Sequence, residues 1–241
     1  VADNRDGTYT NPIIDADYSD PDVIRVGDDF YLTASSFNSI PGLPILHSKD
    51  LVNWKIIGHA LQRQIPEDVF ARPQHGNGVW APSIRFHDNY FWIFYGDPDF
   101  GIYMLKARNA AGPWSEPLLI RAAKGWIDTC PFWDDDGNAY LVHAWANSRS
   151  GIKSILTINR MSADGTKLLD DGRMVFDVKV SVVGEAICNF SYSTDGKRFQ
   201  SVGDIFVAKP GMWIGAKVGL FALAPHGAET HGYAEYEWFR F

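Results

Sequence analysis

Short apolar runs of four to eight residues recur along the chain, separated by Gly, Asp, Asn and Pro, while stretches at helical spacing are hard to find. Short runs bounded by turn residues read as β-strands. Three stretches share one layout: Val26–Ala34, Phe86–Phe94 and Trp133–Val142. Each reads as the end of a strand, a polar turn, then an aromatic strand. The turns carry Gly, Asp and Asn, which tolerate the left-handed backbone of tight hairpins. A third strand is expected in each unit, at Pro44–Ser48, Gly101–Lys106 and Ile152–Ile158.

The units begin about 60 and then about 48 residues apart, which suits four-stranded propeller blades. A β-sandwich also produces short strands and turns, but the block-like repeat favours the propeller. Near Asp177-Val178 the pattern changes. Val178, Val180 and Val182 alternate with Lys179 and Ser181, and Cys188, Phe190 and Tyr192 alternate with Asn189, Ser191 and Ser193. Thr194–Lys197 carries an Asp-Gly hairpin turn, and further strands are expected around Trp213–Ala216 and Tyr233–Trp238. The fold class is therefore all-β, with propeller blades over residues 1–177 and two-faced sandwich sheet over residues 178–241.

Composition narrows the partners. Net charge is -7 and Lys and Arg are scattered, so the basic footprint of a nucleic-acid binder is missing and no membrane surface is expected as a partner. No apolar run is long enough to span a bilayer. Aromatics make up 14% of the chain, which fits a sugar-binding all-β protein and equally a β-core. Cys130 and Cys188 lie in apolar strand-like surroundings and read as buried thiols. The chain starts at Val1 without a signal peptide or initiator Met. That leaves a secreted or periplasmic protein whose leader was removed, or a cytoplasmic one. The sequence assigns no oligomeric state.

Two carboxylates stand out. Asp20 lies in Tyr18-Ser19-Asp20-Pro21-Asp22-Val23, just before the first blade strand, and Pro21 predicts an extended backbone for it. It either points into a central cavity or belongs to a surface turn. Asp128 is the one charge between Lys124 and Asp134. In a mostly apolar strand it is either functional or satisfied by a local partner. Trp80, in Trp80–Arg85, either faces a sugar or starts a blade. Asp134–Asn138 reads as a hairpin turn, because an EF-hand register would place Phe132 first and His143 twelfth. Gly76-Asn77-Gly78 is followed by a strand pattern and so is no dinucleotide loop. The seven His show no metal-binding spacing, so no metal is expected. Asn189-Phe190-Ser191 is a sequon inside an expected strand and is discounted.

Taken together, Asn11-Pro12 with Asp20–Asp22, His47–Trp54, Trp80–Arg85 and Ile127-Asp128 with Phe132–Gly137 resemble glycoside hydrolase family 43, in the right order and over residues 10–177. The family contains β-xylosidases and α-L-arabinofuranosidases on five-bladed propellers, with the active site in the central funnel. Cys188–Ser193, Trp213–Phe221 and Trp238–Phe241 resemble the end of the C-terminal β-sandwich that many members carry. The resemblance implies Asp20 as general base, Asp128 as the carboxylate that tunes and orients the acid, and Phe37 and Trp80 as sugar-lining residues. Inversion uses a base that activates water and an acid that protonates the leaving oxygen.

The family's acid is a Glu in a Glu-Gly-Pro context on the fourth blade, and that context is missing. Glu185, between Gly184 and Ala186, matches the tail instead. The fourth and fifth blades, the axial histidine and its cation site have no counterpart either, so three of the five blades are expected and no cofactor. The implied function is inverting release of terminal arabinofuranosyl or xylosyl groups from plant glycans. A non-catalytic carbohydrate-binding protein and a subunit completing a propeller in trans are the competing readings.

Overall fold

The computed structural model describes residues 2–151, 156–174, 176–183, 187–193, 198–207 and 237–238. The chain divides into two compact units, residues 1–153 with 158–172, and residues 154–157 with 173–241. Strands dominate the described residues of both.

The first unit opens with a four-stranded antiparallel sheet of β1 (Asp22–Val26), β2 (Asp29–Thr33), β3 (Gly42–Ser48) and β4 (Lys55–Leu61), in that spatial order. One helical turn, α1 (Glu67–Phe70), leads to a second sheet of β5 (Trp80–His87), β6 (Tyr90–Asp97), β7 (Gly101–Ala107) and β8 (Leu118–Ala122). A third follows, β9 (Trp126–Trp133), β10 (Ala139–Trp145) and, after the turn α2 (Asn147–Ser150), β11 (Thr157–Met161). The chain passes into the second unit at β12 (Arg173–Met174).

Two of the expected turns are seen directly. Asp88 and Asn89 both take positive φ, 49° and 59°, as a two-residue hairpin matching the sheet's twist requires. At Asp134–Asn138 the Asp134 N–H donates to Asn138 O and the Gly137 N–H to Asp134 O, which closes the hairpin. The third strand of the third unit begins at Thr157, later than the spacing suggested, and residues 152–155 lie outside the described set.

The middle sheet explains the run of apolar residues in β6 and β7. Phe91, Ile93 and Tyr95 join Leu43, Ile45, Leu61 and Ile84 in one buried cluster. Their alternate neighbours Trp92 and Phe94 join Trp126, Leu141 and Met161 in another. With both faces covered, alternation gives way to a continuous apolar strand. Each such side chain contributes about 1.5–3 kcal/mol on burial.

The second unit holds a sheet in the order β15-β14-β13-β16, with β13 (Phe176–Val183), β14 (Ile187–Ser193), β15 (Gln200–Val207) and β16 (Glu237–Trp238). β13 runs through the point where the sequence pattern changes. β16 pairs with it in parallel, and the other neighbours are antiparallel. The Thr194–Lys197 turn, Trp213–Ala216, most of Tyr233–Trp238 and Glu185 lie outside the described residues. Neither cysteine is in a disulfide. Cys188 is buried as expected, but Cys130 is only half-buried and contacts Arg85. Its position on β9 places it against a charged neighbour rather than in the apolar core.

Two buried titratable groups oppose each other. Asp97, 2% exposed, accepts a 2.9 Å hydrogen bond from the Asp99 N–H. Burial pushes its carboxyl up to about 6. His143, fully buried, stacks on Trp126 with ring centres 3.7 Å apart. Burial pushes its imidazole down to about 4. A raised carboxyl pKa makes the native state hold protons the unfolded chain has lost, so Asp97 costs stability as pH rises from about 4 to 6. A lowered histidine pKa does the reverse, so His143 adds stability as pH rises from about 4 to 6.5. Asp97→Asn is expected to leave only the second slope. Between pH 4 and 6.5, its unfolding free energy should rise by about 2 kcal/mol more than the parent's. Urea titrations at both pH values measure this, and equal slopes in the two proteins would refute it.

Candidate active site

The site is built by one backbone device used three times. In the second sheet, Trp80 pairs with Gly96 and Ser83 with Phe94, so Ala81 and Pro82 oppose the single residue Tyr95. In the third sheet, Ile127 pairs with Ala144 and Cys130 with Val142, so Asp128 and Thr129 oppose only His143. In the first sheet, Asp22 pairs with Thr33 and the Ser35 N–H donates to Ser19 O, so Asp20 and Pro21 oppose Ala34. Each is a two-against-one bulge at the start of the sheet's first strand. The leading residue of each is left-handed: Asp20 at φ 50°, Ala81 at 34° and Asp128 at 55°. Such bulges bend a strand and re-aim a side chain, and they gather at functional sites. β1, β5 and β9 are mutual neighbours through β5, so the three bulges share one edge of the unit.

Asp20 therefore departs from the extended backbone expected before proline. Pro21 bars only the right-handed helical region, and Asp is among the few residues that enter the left-handed one at modest cost. Its Oδ2 accepts hydrogen bonds from the Ser19 and Ser35 hydroxyls, both at 2.8 Å. The buried Ser35 hydroxyl in turn accepts the Ala81 N–H at 2.8 Å. The carboxylate is thus tied through one hydroxyl to the second sheet's bulge.

Phe37 and Trp80 come in beside it. The Phe37 and Val79 backbones exchange two hydrogen bonds of 3.0 Å. Phe37 is itself left-handed, with φ 49°. The close approach depends on Gly78, where a Cβ would run into Phe37 O. Trp80 is half-buried, and its indole N–H donates to Gly76 O at 2.6 Å. Gly96 does similar work for the third sheet, since a Cβ there would sit 2.7 Å from Trp126 O. That contact lets β9 run close enough to bring Asp128 in.

Asp128 is exposed and accepts no hydrogen bond among the described residues. The local partner that the sequence left open is not there. Surrounding protein still opposes its charge, and together with the negative charge of Asp20 this raises its carboxyl above the ordinary range. The two carboxylates are therefore electrostatically coupled.

Sequence reasoning missed Ser35, Ala81 and Arg85. Asp22, the second carboxylate of the Asp-Pro-Asp run, accepts the Ile84 N–H at 2.8 Å and Arg85 Nη1 at 2.6 Å. Arg85 Nη2 reaches Cys130 Sγ at 2.8 Å. Asp22, Arg85 and Cys130 thus join the three sheets behind the bulges. The doubled proline at 21 and 82 was the available signal for equivalent bulges. Ser35 sits in the small-residue run Thr33-Ala34-Ser35-Ser36, which carried none. Among the described residues, no group of three or more His, Cys, Asp and Glu is placed to hold a metal.

A family model described as glycosyl hydrolases family 43 matches residues 9–189. A β-xylosidase of Formosa agariphila is 35% identical over 184 residues, covering 72% of this chain and 31% of that protein. A non-reducing end α-L-arabinofuranosidase of Bacteroides ovatus is 44% identical over 117 residues, covering 47% of this chain and 22% of that one. The crystal structure of a family 43 protein from Bacillus licheniformis, BlXynB, superposes on 80% of this chain and 43% of its own with a TM-score of 0.59 and 25% identity. The chain spans between about a fifth and a third of the length of these two curated relatives. Since the family model matches well over half of its residues, the chain belongs to glycosyl hydrolase family 43.

Proposed function

We propose that this chain carries the base side of an inverting glycosidase site that removes terminal xylosyl or arabinofuranosyl groups from plant glycans. The observation that carries the reading is Asp20, held by two hydroxyls at a bulge, with Phe37 and Trp80 beside it and Asp128 coupled to it by charge. In this reading Asp20 takes a proton from a water that attacks the anomeric carbon. The sugar–oxygen bond breaks as a general acid protonates the leaving oxygen. Asp128 orients and tunes that acid, and Phe37 and Trp80 pack on the sugar. The β-xylosidase and arabinofuranosidase relatives support this substrate class.

The three sheets of the first unit are read as three blades of the family's propeller, and the sheet of the second as part of a C-terminal sandwich. No residue is assigned as the acid. That gap favours a second reading, in which the 241-residue chain binds such sugars without turning them over.

The test is hydrolysis of 4-nitrophenyl β-D-xylopyranoside and 4-nitrophenyl α-L-arabinofuranoside. The 241-residue chain is expected to show weak turnover or none. Whatever turnover it has should fall by about 10²–10⁴-fold in Asp20→Ala. Turnover that survives the substitution removes Asp20 from the role of base. Sugar binding without turnover selects the second reading.

The coupling has its own check. Asp20→Asn deletes the charge that helps raise Asp128, so the Asp128 carboxyl should titrate at lower pH in the variant. Carbon-13 NMR of the side-chain carboxyls reads this directly, and an unmoved Asp128 titration would mean the two groups do not share a cleft.

A further inference from the structure

We infer that Arg149 is a positioning residue for the Trp80 platform, an inference that rests on the sugar site proposed above. Arg149 lies in α2, the turn between β10 and β11 of the third sheet, and played no part in the sequence argument. Its guanidinium centre stands 5.6 Å from the centre of the Trp80 ring, over one face. Nε lies 2.8 Å from Asp99 Oδ1, and Nη2 lies 3.3 Å from Asp99 Oδ2 and 2.9 Å from Asn77 Oδ1. Nη1 donates to Ser148 Oγ at 3.1 Å.

These contacts join three separate segments. Asp99 belongs to the β6–β7 loop, Asn77 to the loop before β5, and Arg149 to the β10–β11 connection of the third sheet. The Asp99 end is anchored in turn, because its N–H donates to the buried Asp97 carboxyl. The pair is only partly exposed, with 23% of the Arg149 side chain and 28% of the Asp99 side chain open to solvent. A partly desolvated fork-to-carboxylate contact is more than a surface ion pair, and an ammonium cannot reproduce its planar geometry.

The indole is consequently gripped twice, at its N–H by Gly76 O and over one face by the guanidinium. That leaves its opposite face and edge for a sugar. Arg149 touches Trp80 and its loop rather than the reacting atoms. It acts by fixing the orientation of the ring, and a cation over an aromatic face adds attraction of its own.

Calorimetric titration of the full chain with xylobiose tests this in a double-mutant cycle. Arg149→Ala is expected to weaken binding about fivefold when Trp80 is present, and Arg149→Lys to recover little of the loss. In a Trp80→Leu background, which keeps apolar surface for the sugar but no aromatic face for the guanidinium, the Arg149→Ala effect should shrink to less than about twofold. A purely structural role would weaken both backgrounds equally, and that result overturns the inference. Asp99→Asn guards against a misfolded Arg149→Ala: it should reproduce part of the loss, and should add nothing once Arg149 is removed. If Trp80→Ala abolishes binding while Arg149→Ala and Asp99→Asn leave it unchanged, the positioning role fails and the sugar site stands. If Trp80→Ala leaves xylobiose binding unchanged, the sugar site fails and the positioning role falls with it.

Discussion

A strand that must accommodate two residues against one has to bend. When the first of those two residues is left-handed, its side chain leaves the ordinary alternation of the sheet. That constraint operates at Asp20, Ala81 and Asp128, and the candidate site follows from it. None of the three is glycine, the residue that adopts such a conformation most easily, and a non-glycine residue held there costs on the order of 1–3 kcal/mol. The cost is met by what surrounds each bulge: Ser19 and Ser35 on the Asp20 carboxylate, the Ser35 hydroxyl on the Ala81 N–H, and the tight Gly96 contact beside β9.

The same edge also holds the sheets together. Asp22, one residue past the first bulge, receives the Ile84 N–H and the Arg85 guanidinium, and Arg85 reaches on to Cys130 two residues past Asp128. Structure and chemistry are thus divided between neighbours. In the Asp-Pro-Asp run the first carboxylate is aimed by hydroxyls alone, while the second is occupied by an N–H and a guanidinium and serves as a tie. Asp128, solvent-facing and without a hydrogen-bond partner among the described residues, stands in contrast to both. No donor among the described residues satisfies this carboxyl, and its surroundings and Asp20 raise it.

The strands were legible because hydrophobic spacing records burial. Aromatic runs such as Tyr90–Phe94 fall where the middle sheet is covered on both faces, and the Asp-Asn and Asp-Gly turns fall where left-handed residues are needed. Asp20, Asp128, Phe37 and Trp80 were legible mainly through their resemblance to a family, since spacing alone left each with a bland alternative. What stayed hidden depends on contacts across sheets. Ser35 is one small polar residue among several until it is seen between Asp20 and Ala81. Arg149 is an ordinary surface cation until the β6–β7 loop and the Trp80 ring are set beside it. The bulges escaped the pattern because they break the two-residue period, and only Pro21 and Pro82 mark two of them. Cys130 was misjudged for a related reason, as its apolar sequence neighbours say nothing of Arg85, forty-five residues earlier.

The proposed function stands on three repeated bulges that turn Asp20 and Asp128 toward one bound sugar. A crystal structure of the chain grown with xylobiose tests it most directly. The account predicts a xylosyl ring packed beside Trp80 and Phe37, with the Asp20 and Asp128 carboxylates both turned toward it and positive φ kept at residues 20, 81 and 128. A sugar bound elsewhere on the chain, or carboxylates directed away from each other into bulk solvent, would contradict it.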